Sequence, residues 1–219
     1  MPTLAILPIK NFTEAKQRLE PLLSPGPRRA LAEAMFSDVL TALRRSSSVE
    51  DILVITRDHI AQQIAGGHGA LVLDDDEPGQ SPAAMLGIGY AIEHEYERAL
   101  LVPGDCPMLD PREVDALIAQ PHDSPSALIV ADRHGTGTNA LLLTPPDSLV
   151  PAFGPDSYER HVANAEAAGT THELVSVATL ELDIDGPDDL EVLRTLLGSS
   201  HGGAAHTRGM LSQMLRSRT

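Results

Sequence analysis

The stretch Ala99-Leu100-Leu101-Val102-Pro103-Gly104-Asp105-Cys106-Pro107 passes from four apolar residues into a proline, a glycine and an acid. A short unbroken apolar run reads as a strand buried on both faces, as in a parallel sheet covered by helices. Ala99–Pro103 is therefore expected to be the fourth strand, and Asp105 follows its carboxyl end, the edge where open α/β sheets bind ligands. Upstream, Thr3–Pro8, Asp51–Thr56 and Ala70–Leu73 have the same character. Between them lie a helix over Pro27–Arg45 with Leu31, Met35, Val39 and Leu43 in one stripe, a short helix about Ile60, and a helix from Ser81-Pro82, an N-cap and first-turn proline, to Glu97. Downstream, Asp110-Pro111-Arg112-Glu113 resembles a capping box for a helix to Ala119. Strands are expected at Ala127–Ala131, Ala140–Leu143, Glu173–Val177 and Leu180–Asp185, with helices over Asp156–Ala168 and from Pro187. This alternation predicts an α/β fold with a largely parallel sheet, residues 1–197 forming a single domain. From Gly198 the chain is rich in glycine, serine and histidine and carries Arg208, Arg216 and Arg218 but no acid. It reads as a basic, mobile tail, with a short docking helix through Met210, Leu211, Met214 and Leu215 as the alternative.

The 219 residues include 16 basic and 31 acidic side chains, a formal charge of -15. Such a field repels nucleic-acid phosphates and anionic lipid, so neither is an expected partner. No apolar run reaches the roughly 18 residues that a bilayer span needs. The opening MPTLAILPIK lacks the basic region and cleavage site of a signal peptide, and a cytoplasmic location is expected. A lone cysteine, Cys106, excludes an internal disulfide and a cysteine-based zinc cluster, which leaves oxygen to hold any metal.

Three constellations carry possible chemistry. In Leu180-Glu181-Leu182-Asp183-Ile184-Asp185-Gly186-Pro187, period-two geometry turns Asp183 and Asp185 to one face, where they can converge with Asp105. Aspartates in an apolar strand are costly to bury, which favours a metal or ligand role, and hard oxygen ligands of this type suit magnesium and a phosphorylated substrate. Asp110, Asp188 and Asp189 read as helix caps and first-turn acids, and Asp74, Asp75 and Asp76 as a solvated loop. Next, Lys10, Lys16 and Arg18 follow the first strand; the only two lysines among the 16 basic residues both lie here. Such a cluster could neutralise a triphosphate, although the loop has neither the Walker pattern nor a GxGxxG fingerprint. Finally, Gly135-Thr136-Gly137-Thr138-Asn139 and Phe153-Gly154-Pro155-Asp156-Ser157 could hold a phosphate or carboxylate through Thr138, Gly154 and Ser157, or serve simply as turn and cap. The loop Gly79-Gln80-Ser81-Pro82 could touch a base. The nine histidines show no metal-ligand spacing and most of them read as surface residues, and Cys106 reads as buried packing.

Together, LPIKNFTEAKQRL, VPGDCPMLDP, ADRHGTGTNALLL, FGPDSYERHVANAEAAG and LDIDGPDDL resemble the 2-phospho-L-lactate or phosphoenolpyruvate guanylyltransferases of coenzyme F-420 biosynthesis. The resemblance runs from the first strand to the last helix. It implies a three-layer sandwich with a mixed, mainly parallel sheet of nucleotidyltransferase type, and a need for GTP and Mg2+. It further implies Asp105, Asp183 and Asp185 as metal ligands, Thr138, Gly154 and Ser157 as the acid site, and Lys10, Lys16 and Arg18 as phosphate contacts, with Gln80 and Ser81 against guanine. Asp105 and the three basic residues would then serve catalysis, and the product would be handed to the next enzyme of the pathway. Molybdenum-cofactor guanylyltransferases are similar but open on a glycine-rich LAGG-type loop that is absent here. Two further readings stay open: a nucleotide-sugar-dependent transferase, suggested by the D-x-D of Asp183-Ile184-Asp185, and a non-catalytic GTP-binding protein.

Overall fold

The structure, a computed structural model, describes residues 1–75, 79–121, 123–199 and 202–216. Asp76, His201 and Arg218 lie outside the described residues. Seven strands, β1 (Thr3–Pro8), β2 (Asp51–Ile55), β3 (Leu71–Leu73), β4 (Arg98–Leu101), β5 (Ser126–Ala131), β6 (Thr138–Thr144) and β7 (Thr171–Leu174), form one sheet in the order β3-β2-β1-β4-β6-β5-β7. The pairs β1/β2, β1/β4, β2/β3 and β5/β7 are parallel, and β6 runs antiparallel to both β4 and β5. The sheet is therefore mixed and mainly parallel.

Alternate residues along each central strand feed opposite faces, as the pleat requires. Ala5, Leu7, Leu100, Leu128, Val130 and Leu142 pack with α1 (Pro25–Arg45), α2 (His59–Gly67) and α4 (Pro111–Ile118). Leu4, Ile6, Ala99, Leu101, Ile129, Leu141 and Leu143 pack on the other face with α3 (Gln80–Glu93) and α5 (Ser157–Ala168). These helices complete the three layers. The approach of α3 is close: a β-carbon at Gly87 would lie 2.4 Å from Ile6 Cγ2 and 2.9 Å from Ile55 Cδ1.

A third apolar cluster joins Leu31 and Met35 of α1 to Leu19, Leu182, Ile184, α6 (Pro187–Ser199) and α7 (Ala205–Arg216). Within the stretch expected to be a mobile tail, Ala205–Arg216 is instead a docked helix, the alternative reading, and the third cluster carries the packed structure past residue 197. Leu211 is buried, and the carboxylate of Asp38 on α1 accepts the His206 N–H (2.9 Å) and the Thr207 N–H (2.8 Å). That cap satisfies first-turn donors from a residue far away in sequence, which no local pattern announces.

Two other expectations differ. Leu180–Asp185 is irregular chain, outside the sheet; Leu180, Leu182 and Ile184 are buried while alternate residues are half-exposed, so the alternation is real without ladder partners. Asp110 caps α4 by accepting the Arg112 N–H at 2.8 Å, but Glu113 accepts from Thr179 N and Oγ1 and closes no capping box.

Candidate active site

The site is built at the carboxyl edge of the parallel strands. The chain leaves β4 through Val102, whose N–H donates to Ile6 O at 3.0 Å, and turns at Gly104, where a β-carbon would meet Ile9 Cδ1 at 2.5 Å. This close approach sets Asp105 at the sheet edge, where the Ile184 N–H reaches its carbonyl at 3.2 Å. That bond lays the 180–185 segment alongside, so Asp105, Asp183 and Asp185 each offer an oxygen, all within 4.8 Å of one another. The sequence pairing of these three acids holds, although an irregular segment, not a strand, delivers two of them.

Lys16 completes the cluster. It sits between short 3-10 turns at Phe12–Glu14 and Gln17–Leu19 in a left-handed backbone conformation (φ 58), a strained state for a side chain with a β-carbon. Its Nζ binds Asp105 Oδ2, and Asp185 Oδ1 at 2.9 Å. Arg18 reaches Asp185 only at 4.0 Å. The Lys16 side chain is 8% exposed and that of Arg18 80%, so Lys16 is the cation that belongs to the site. Lys10 stays exposed two residues past β1, and is not among the cations within 4.0 Å of these carboxylates in the described residues.

The electrostatics separate the acids. Burial, then the neighbouring Asp105 charge, push the Asp183 carboxyl up to about 6, against the pull of its hydrogen bond from Asn139. Burial also acts on Asp185, but Lys16 outweighs it and holds that carboxyl below its usual value. Lys16 is desolvated as well, and Asp105 and Asp185 outweigh this and keep the ammonium charged. Asp189 accepts the Asp185 N–H (3.0 Å) and the Gly186 N–H (2.7 Å) while Arg133 binds it at 2.6 Å, which pins the turn carrying Asp185. Cys106 is fully buried, its thiol pushed up by burial and aimed at Leu180 O (3.5 Å), which agrees with packing and not with a nucleophile.

The acid cluster fits a divalent cation. Three carboxylates against one ammonium leave two negative charges, and Asp105 Oδ1 is buried without a hydrogen-bond partner among the described residues. A buried carboxylate oxygen left unpaired is costly unless a ligand completes it. The all-oxygen donor set suits a hard ion of the magnesium type.

A second group of residues adjoins the cluster through β6. Because β6 opposes β4, with Leu101 paired to Leu141, its first residues lie beyond the carboxyl end of β4. Asn139 Nδ2 donates to Leu180 O (2.8 Å) and Asp183 Oδ1 (3.1 Å), while its neighbour Thr138 faces the start of α5. The Thr138 N–H donates to Ser157 Oγ at 2.9 Å, and Thr138 Oγ1 lies 2.9 Å from His161 Nδ1. Gly154, at φ 118, and Asp156, at φ 54, turn the chain into α5. Ser81 lies inside the first turn of α3, whose cap is Gly79; its hydroxyl accepts the Phe153 N–H at 2.9 Å and so braces this loop. Gln80 opens α3 half-buried. Sequence reading missed Asn139 and His161, while Asp189 is the first-turn acid it was read as. Only the position of His161 on the helix face of Ser157, four residues on, could have flagged it.

A polar cavity of about 760 Å³ opens beside Ser48, Asp51, Tyr96 and Arg98 and includes none of these residues.

Residues 3–216 match the family described as "Guanylyl transferase CofC like". The chain belongs to this family. A phosphoenolpyruvate guanylyltransferase of Conexibacter woesei is 53% identical over 218 residues, covering 99% of this chain and 98% of that protein. A 2-phospho-L-lactate guanylyltransferase of Methanothermobacter thermautotrophicus is 31% identical over 98% of this chain and 92% of its own. A 3-phospho-D-glycerate guanylyltransferase of Colwellia psychrerythraea is 34% identical over 90% and 93%. Among solved structures, a nucleotide-diphospho-sugar transferase of Desulfovibrio desulfuricans, described there as putative, superposes with TM-score 0.77 over 97% of this chain and 95% of that one, at 17% identity. A nucleotidyl transferase of Methanothermobacter thermautotrophicus gives 0.65 over 91% and 99%, also at 17% identity. These two share the fold. The family makes the chain a guanylyltransferase, a nucleotidyltransferase enzyme. No helix among the described residues is long and apolar enough to cross a membrane.

Proposed function

We propose that this enzyme transfers GMP from GTP to phosphoenolpyruvate, releasing pyrophosphate, in coenzyme F-420 biosynthesis in the cytoplasm. The observation that carries the reading is the acidic cluster with Lys16 set one residue along β6 from a pair of hydroxyls, so that a cation site and an anion site adjoin. Phosphoenolpyruvate is preferred to 2-phospho-L-lactate because the relative named for it is 53% identical, against 31%.

Asp105, Asp183 and Asp185 would hold Mg2+, which when bound supplies Lewis-acid stabilisation of phosphate oxygens. The rest falls to the chain. Thr138, Ser157 and the Gly154 turn hold the acid, leaving a phosphate oxygen free to attack the α-phosphorus of GTP. One O–P bond forms there, the bond to the β-phosphate bridging oxygen breaks, and pyrophosphate carries the electron pair away. No protein nucleophile is required, since positioning and charge carry such transfers. Lys16 and Arg18 offset the charge of the triphosphate, with Lys10 as an outer contact, and Gln80 and Ser81 stand at the start of α3 for the base. One domain, including α7, carries these parts, and the product passes to the next enzyme of the pathway.

The test is pyrophosphate release from GTP and Mg2+ with phosphoenolpyruvate, 2-phospho-L-lactate or 3-phospho-D-glycerate in turn, the next pathway enzyme and its acceptor being added to draw off product. Release fastest with phosphoenolpyruvate is expected. Release fastest with another acid replaces the substrate, and no release with any acid, despite GTP binding, overturns the reading.

A further inference from the structure

His161 is fully buried, yet both ring nitrogens are engaged: Nε2 lies 2.8 Å from the Ala152 backbone nitrogen and Nδ1 lies 2.9 Å from Thr138 Oγ1. A backbone N–H can only donate, so Nε2 must accept and carries no proton. In the neutral ring the proton then sits on Nδ1, which donates to Thr138 Oγ1. The environment enforces neutrality, because burial, with the nearby Arg160 charge, pushes the imidazole down to about 4. The ring is also clamped: Phe153 packs against it edge-on at 5.1 Å and 72°, and the Phe153 N–H is held by Ser81.

The consequence lies one bond further on. A Thr138 oxygen already receiving a proton from His161 keeps its own hydroxyl proton free to donate elsewhere. Ser157 is in the same condition, since its Oγ receives the Thr138 N–H. Each hydroxyl receives a donor from the protein and keeps its own proton for a further acceptor. Two such donors favour an oxygen that can only accept, such as an ionised carboxylate or phosphate, over one bearing a proton.

We propose that His161 is a positioning residue that sets the donor direction of the Thr138 hydroxyl toward the acid substrate through a fixed Nδ1–H tautomer. This rests on the acid-site reading of Thr138 and Ser157 above. Its first test needs no substrate: long-range proton–nitrogen NMR correlations on the 15N-histidine-labelled full chain, with His161 assigned by comparison with His161→Asn. An unprotonated Nε2 and a protonated Nδ1 are expected at neutral pH; a protonated Nε2 overturns the proposal.

The second test is kinetic. His161→Leu, which fills space without a donor, should raise KM for phosphoenolpyruvate by about tenfold or more, as expected for losing an oriented hydrogen bond to an ionised group, with KM for GTP little changed. His161→Asn, which keeps a donor near the Nδ1 position, should recover most of that loss. His161→Leu added to Thr138→Val should cost no more than Thr138→Val alone, because the histidine acts only through that hydroxyl. Equal loss toward both substrates, no recovery by asparagine, or additive losses each overturn it. If His161→Leu fails to fold, the asparagine variant and the tautomer still decide. If phosphoenolpyruvate supports no turnover in the parent, the function reading fails, while the tautomer measurement still tests the network.

Discussion

Replacing Asp183 by asparagine should make the metal-free protein more stable while abolishing its turnover. The side chain is held where a charge is unwelcome: burial and the Asp105 carboxylate push it from 3.8 to about 6. At ~1.36 kcal/mol per unit the shift corresponds to about 3 kcal/mol, and partial solvent contact reduces it to about 2 kcal/mol. The direction follows from proton counts. Between the unfolded value near 4 and the folded value near 6 the native state binds the extra proton, so stability falls as pH rises through that window and the whole penalty is present above it. Asparagine is isosteric, keeps an oxygen to accept from Asn139 Nδ2, and carries no charge to repel Asp105. In EDTA at pH 7.5 the Asp183→Asn melting temperature should therefore exceed the parent's by about 4–8 °C for a chain of this size, and at pH 4 the two should coincide. Saturating Mg2+ should reverse the order, because binding stabilises only the protein that retains all three ligands. A variant less stable than the parent in EDTA at pH 7.5, or a difference independent of pH, would refute the electrostatic reading of the cluster.

Other substitutions probe separate parts of the argument. Lys16→Gln should lower turnover by about 100-fold or more, and Lys16→Arg should not restore it, because a forked guanidinium cannot replace a compact ammonium between Asp105 and Asp185. Steady-state pyrophosphate release measures both, and near-parental activity in Lys16→Arg would contradict this. Gly87→Ala places a methyl against Ile6 and Ile55 and should cost about 1–3 kcal/mol in urea unfolding, with the m-value unchanged. Asp38→Ala strips the cap from α7 and should cost about 1–3 kcal/mol, with faster hydrogen exchange over residues 205–216 and turnover retained. Unchanged protection there would show that the apolar contacts of Leu211 suffice.

Much of the fold was legible because its central strands are buried on both faces and leave a mark that is local and periodic. Leu128 and Val130 fall to one layer, Ala127 and Ile129 to the other, and turn residues punctuate each run. Even the error at Leu180–Asp185 is instructive. Alternate burial gives the same pattern whether or not a ladder exists, so period two reports facing, not pairing. The convergence of Asp183 and Asp185 with Asp105 was therefore readable, while the absence of a strand there was not.

What escaped the sequence is polar and pairwise. Asp38 reaches α7 across 168 positions, His161 reaches Thr138 across 23, and Asn139 reaches Asp183 across 44. None of these partners shares a period with the other, so single residues look ordinary until the chain folds. Lys16 shows how this bears on function: its type and place suggest a phosphate contact, and only the fold reveals that it also bridges two carboxylates. The start of β6 matters most in this respect. Thr138 and Asn139 are consecutive, so one addresses the Ser157 hydroxyl and the other the carboxylate of Asp183. A shift of this strand end moves both groups together. On the proposed reading, the distance between an anion at Thr138 and Ser157 and a cation at Asp183 would be set by the backbone of a strand paired on both sides, which is where a reaction that depends on positioning needs it.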